Sequence, residues 1–235
     1  AATPPPRSET TAGGLPGTCD ERPFLRESYN SGGVERVLID PTGKMLFAAY
    51  ECGRVVAWEL PTGRRLWMEE PEYGGGSCVP AATKRARAVD LAFIPGVNQL
   101  VVVAQQRSPA KGKLVRFDAA TGTKVGDDLE TSASPYVVNA VAVSDDGTRF
   151  AVAETSLDDY FRGRVRLFPL GADGRAGAPA ELDTADLRPL TRLVFTADGH
   201  TLAGASDRLA VVWSLAGGDF PPRASRSVLP GHDGT

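Results

Sequence analysis

Histidine, cysteine and long apolar runs are all scarce in this sequence, and each scarcity removes a class of chemistry. The only two histidines, His200 and His232, lie near none of the three cysteines, Cys19, Cys52 and Cys78. No C-x-x-C pair occurs, so the usual ligand set of a structural zinc site is missing. Three cysteines are also too few for a disulfide framework, and the odd count leaves room for one bridge with at least one thiol unpaired. No stretch approaches the ~20 apolar residues of a membrane-crossing helix. None repeats apolar residues at i, i+3, i+4 and i+7, so helix is expected to be nearly absent. The net charge of -3 gives no global attraction to phosphate backbones or anionic lipid. The expectation is therefore no bound metal, no cofactor, no nucleic-acid partner and no membrane insertion.

Catalytic motifs are missing too. G-x-S-x-G, H-E-x-x-H and G-x-x-x-x-G-K-[ST] do not occur. GGGSC at 74–78 neither follows a clear strand nor opens a helix, so Ser77 and Cys78 read as loop residues rather than as a nucleophile in a phosphate cradle. His200 directly follows a turn, where an exposed polar side chain is ordinary. Asp145, Asp146 and Asp198 precede turn glycines and suit tight turns better than calcium ligation.

What is present is a repeat. Each of four copies opens with a short apolar strand running into a turn: VERVLIDPTG (34–43), AVDLAFIPG (88–96), NAVAVSDDG (139–147) and LTRLVFTADG (190–199). The turn glycines, Gly43, Gly96, Gly147 and Gly199, fall 53, 51 and 52 residues apart. Second strands follow (KMLFAAY, QLVVVAQ, RFAVAE, TLAGAS), rich in small and β-branched residues that suit the inside of a sheet. Third strands follow these: GRVVAW (53–58), GKLVRF (112–117), GRVRLF (163–168) and RLAVVW (208–213), each ending on an aromatic, Trp58, Phe117, Phe168 or Trp213. RRLWMEE and TKVGDDL read as weaker fourth strands. Alternation in the first strand predicts that Val37 and Ile39, Leu91 and Phe93, Val141 and Val143, and Leu193 and Phe195 face inward as equivalent pairs.

Four short strands per repeating unit indicate a propeller blade rather than a sandwich. The third-strand pattern and the Gly-His of GHDGT (231–235) make residues 33–235 resemble the WD-repeat β-propeller family in its divergent bacterial form. Trp-Asp itself is absent: Trp58 is followed by Glu59, Phe117 by Asp118, Phe168 by Pro169 and Trp213 by Ser214. LPTGRRLW (60–67) is also similar to the T-G-x-x-x-W docking element of quinoprotein propellers, in which the tryptophan ties neighbouring blades together. The resemblance implies an all-β, β-propeller fold of four-stranded antiparallel blades. About four are present, at 34–87, 88–138, 139–189 and 190–230, and the ring is expected to be incomplete, with GHDGT entering a further blade. PFLRESY (23–29), within an N-terminal segment 19–33, is the candidate closing strand. Residues 1–18, rich in Pro, Thr, Gly and Ala, read as a linker or tether. The chain begins without methionine, so its true start is expected upstream or removed by processing, and the compartment stays open.

Propellers of this family present binding surfaces, so the expected function is a non-catalytic scaffold for a protein or peptide, in a full-length chain that carries an effector domain elsewhere. The second reading is a lactonase-like or quinoprotein-like enzyme or ligand binder with its site near the central axis. Antiparallel blades place alternate connections on opposite faces. The connections AQQRSPAKG (104–112), ETSLDDYFRG (154–163) and the segment 70–87 are thereby predicted to be long loops converging on one face. Long loops on a rigid scaffold are where recognition residues concentrate. The candidates there are an acidic-aromatic group, Glu154, Asp158, Asp159, Tyr160, Phe161 and Arg162, beside a basic group, Arg85, Arg87, Arg107 and Lys111. Tyr and Arg are frequent interface anchors. Lys84, Arg85 and Arg87 in TKRARA read first as a solvated loop. As a binding patch they could face phosphates or an acidic partner, and DNA is disfavoured by the acidic whole and the lack of a recognition helix or aromatic stacking series.

Overall fold

The computed structural model describes residues 33–71, 86–107, 110–132, 135–158, 162–184, 187–206, 209–216 and 220–230. The linker 1–18, the candidate closing strand 23–29, the GGGSC segment and the tail GHDGT lie outside the described residues. The described chain is all-β and contains no helix. Its strands form four antiparallel meanders, each paired in sequence order. The first blade holds β1 (Val34–Ile39), β2 (Met45–Tyr50), β3 (Val55–Glu59) and β4 (Arg65–Glu69). The second holds β5 (Ala86–Ile94), β6 (Gln99–Arg107), β7 (Ala110–Asp118) and β8 (Leu129–Ser132). The third holds β9 (Tyr136–Val143), β10 (Arg149–Ser156), β11 (Gly163–Pro169) and β12 (Ala180–Leu182). The fourth holds β13 (Arg192–Phe195), β14 (Thr201–Ala205), β15 (Leu209–Ala216) and β16 (Arg223–Pro230). This is the blade architecture that the repeat predicted.

Local chemistry sets the turns. Asp40 caps the first by accepting the backbone N–H of Lys44 at 2.7 Å and of Met45 at 2.6 Å. Asp146 and Asp198 do similar work in the third and fourth blades, accepting the N–H groups of Thr148 and His200 at 3.0 Å each. Gly43, Gly147 and Gly199 sit at φ of 69°, 68° and 68°, the left-handed region that a side chain disfavours, which is why the repeat spacing is marked by glycine.

Successive blades pack face to face, and each junction has its own apolar cluster. Phe47, Val55 and Trp67 meet Leu91, Leu100 and Phe117 between the first and second blades. Val101, Val103 and Leu114 meet Val141, Phe150 and Phe168 between the second and third. Leu167 and Leu182 meet Leu193, Leu202 and Trp213 between the third and fourth. The third-strand aromatics are register equivalents: Trp58 pairs with Leu46, Phe117 with Leu100, Phe168 with Phe150 and Trp213 with Leu202. Phe117, Phe168 and Trp213 all lie on the side of their blade that packs on the preceding one, and are 4%, 3% and 0% exposed.

Trp58 occupies the same position on the first blade, where no preceding blade stands among the described residues, and it is only half-buried. The expectation that Val37 and Ile39 are core residues fails for the same reason. Alternation puts them on the predicted side, but they are 57% and 55% exposed, whereas their equivalents Leu91, Val141 and Leu193 are buried. The first strands pack in the order β1, β5, β9, β13, and no comparable packing joins β13 back to β1 among the described residues.

Two further expectations are corrected. TKVGDDL is not the fourth strand of its blade: Lys124 makes one isolated bridge to Phe117, and the strand is β8, five residues on. AQQRSPAKG is not a long loop. β6 and β7 run through it with Gln105 opposite Gly112, Gln106 opposite Lys111 and Arg107 opposite Ala110, leaving only residues 108 and 109 as the connection. Backbone pairing extends the hairpin where the side chains show no apolar alternation.

Candidate functional site

The face carrying the second-to-third-strand connections is built higher on the two middle blades. β6 and β7 are nine residues each and β10 and β11 are eight and seven, against six and five for β2 and β3. Arg107 and Lys111 therefore sit at the tip of a paired hairpin. Asp158 and Arg162 are exposed in the connection between β10 and β11. Arg85, Asp159, Tyr160 and Phe161 lie outside the described residues, as do the side chains of Arg107 and Lys111.

The other two candidates have partners inside the arc. Arg87, in β5, forms an ion pair with Glu35 of β1, and its guanidinium lies 3.7 Å from Glu51 of the same blade, so it ties the first two blades together. Glu154 is fully buried in β10. Arg166 grips it at 2.8 and 2.6 Å, and Arg164 adds a contact at 2.9 Å. Arg164 lies 3.8 Å above the ring centre of Tyr136, a cation–π contact. Burial raises the Glu154 pKa against the pull of Arg166 and Arg164.

Sequence reasoning missed Asp90. It is 1% exposed, accepts the N–H of Val141 in β9 at 3.0 Å and pairs with Arg36 of β1 at 3.0 Å. One carboxylate thus bridges the first strands of three blades. Burial raises its pKa, against the hydrogen bond from Val141 and the charge of Arg36. A polar residue interrupting AVDLAF was the signal, since a buried acid needs paired partners.

It also missed a concavity among the described residues. A cavity of about 310 Å3 opens in the wedge between the second and third blades. Ile94, Val101, Leu114 and Phe150 give it apolar walls, and residues 126–128 and 174–176, from the third-to-fourth-strand connections, form its rim. These connections lie on the face opposite the predicted long loops, so irregular chain is present on both faces. Asp128 at the rim is committed to Lys113 at 2.5 Å and Lys124 at 2.6 Å, while Arg175 pairs with Asp173 at 3.3 Å. Arg116 donates one hydrogen bond, at 2.6 Å, to the Gly174 carbonyl. Among the described residues, no cluster of His, Cys, Asp or Glu has the make-up of a metal site. No protein family and no curated protein matches the chain.

Proposed function

We propose that this chain is a divergent WD-repeat-like propeller acting as a non-catalytic scaffold, which binds a protein or peptide through the face formed by 70–87, 104–112 and 154–163. The observation that carries this reading is the height of the middle blades on that face. The nine-residue hairpin strands β6 and β7 hold Arg107 and Lys111 on paired backbone, and Asp158 and Arg162 are exposed in the corresponding connection of the next blade. A rigid charged arm loses little conformational entropy on binding, which favours recognition of an extended, charged partner segment. The buried acids give no support to the axial-enzyme reading, because Asp90 is engaged by Arg36 and the Val141 N–H across the blade junctions and Glu154 by Arg164 and Arg166 within its own blade.

The test is selection of a peptide library on the immobilised protein, followed by affinity measurement of the enriched sequences. Acidic peptides are expected, weakened about tenfold or more by Arg107→Glu with Lys111→Glu, as loss of charge-assisted hydrogen bonds requires. Ala197→Lys, in an exposed turn on the other face, should leave affinity unchanged. No enrichment, or equal loss with both variants, would overturn the reading.

A further inference from the structure

We propose that the wedge between the second and third blades is a binding site for a small aromatic carboxylate, independent of the loop-face reading above. The volume of about 310 Å3 is at the lower end of the ~300 to 1,000 Å3 found for small-molecule sites. That is room for one or two rings with a short polar group. Val101 and Leu114 on one wall and Phe150 on the other make the interior apolar.

Phe150 already belongs to an aromatic stack. Its ring lies parallel to that of Phe168, with centroids 4.6 Å apart and an interplanar angle of 1°, and Arg166 lies over Phe168 at 5.2 Å. A ligand ring entering the cavity would add to this series, and offset stacking is worth about 0.5–1.5 kcal/mol beyond the area it buries.

Arg116 supplies the charge. Its guanidinium is half-buried at the cavity wall, gives one hydrogen bond to Gly174 and faces no carboxylate within ion-pair distance among the described residues. An arginine has five donors in a planar fork that matches a carboxylate. Two glycines leave room for the fork: a Cβ at Gly126 would meet the Arg116 guanidinium at 2.9 Å, and one at Gly174 would meet it at 3.4 Å. Next to Gly174, outside the cavity lining, the Oε1 of Gln99, in a residue 9% exposed, has no hydrogen-bond partner among the described residues.

Naphthalene-2-carboxylate is the probe. Titrated into the isotopically labelled protein, it should bind saturably and shift the amide signals of Gly126, Gly174 and Ala176. Naphthalene-2-carboxamide and cyclohexanecarboxylate should each bind about tenfold or more weakly, the first for want of charge and the second for want of a ring. Arg116→Gln should weaken the carboxylate about tenfold and leave the carboxamide unchanged, which a general loosening of the fold would not do. Ala176→Leu, which fills the cavity, should abolish binding at an unchanged or raised unfolding temperature. The proposal is overturned if the wild-type protein shows no saturable binding, if the shifted amides lie elsewhere, or if carboxylate and carboxamide bind alike.

Discussion

Trp67 donates its indole N–H across the first blade junction to the Ala119 carbonyl at 2.8 Å, and its ring packs on Phe47 and Phe117. Gly122, at φ of 72°, leaves space for that ring, since a Cβ there would come within 2.7 Å of the indole. Trp67→Phe should therefore cost about 1 kcal/mol for the hydrogen bond, and Trp67→Ala about 3–5 kcal/mol for the cavity. Gly122→Ala should cost more than about 1 kcal/mol through strain and collision together. Urea unfolding of the three variants gives the ranking, and Trp67→Ala behaving like the wild type would refute it. Cys52 is disulfide-bonded, so with three cysteines in the chain its partner is Cys19 or Cys78. A thiol assay on the unreduced, denatured chain should count one free thiol, rising to three on reduction. A bridge of this kind is characteristic of oxidising compartments.

At the scale of the element, the Asp-capped turns bring a defined response to acid. In Asp40, burial, which would raise the pKa, is outweighed by hydrogen bonds from Thr42, Met45 and Lys44, and the group lies below the usual 3.8. In Asp146, burial is likewise outweighed by Ser144 and Thr148. A carboxyl with a depressed folded pKa stabilises the fold above its unfolded value and stops doing so as pH falls through the folded one. The stability difference between the wild type and Asp40→Asn or Asp146→Asn should be full above pH 3.8 and shrink below it. A difference that grows on acidification would contradict the assignment. These turns were legible in the sequence because a capping acid and a left-handed glycine act within five residues. The hairpin of β6 and β7 was not, because AQQRSPAKG has no apolar alternation and its pairing is backbone alone. Val37 and Ile39 show the limit of periodicity: it assigns a side chain to a face and says nothing about whether another sheet covers that face. The wedge cavity was equally hidden, since Arg116 and Phe150 meet only through the packing of two repeats.

At the scale of the molecule, each blade stands on its neighbours through one apolar junction and a few directional ties. Arg87 and Asp90 serve the junctions near the first strands, Trp67 and Trp213 those further out, the latter through its N–H to the Asp183 carbonyl at 2.9 Å. Asp90→Asn keeps the shape but removes the charge that holds Arg36, so it should destabilise by about 1–3 kcal/mol. Asp90→Ala should cost more, because the Val141 N–H then loses its acceptor in a dry junction. Calorimetry of the two variants separates the contributions, and equal midpoints would show that Asp90 carries no tie.

The open order of packing, from β1 through β5 and β9 to β13, makes the described arc a short one-dimensional array rather than a ring. In such an array each unit owes its stability to nearest neighbours. The second and third blades have two of these, and the first and fourth have one. Cooperativity should then decay outward: amides in β6 and β10 exchange with deuterium slowest, and those of β2 and β14, at equivalent places in the end blades, exchange sooner through partial openings that leave the middle pair intact.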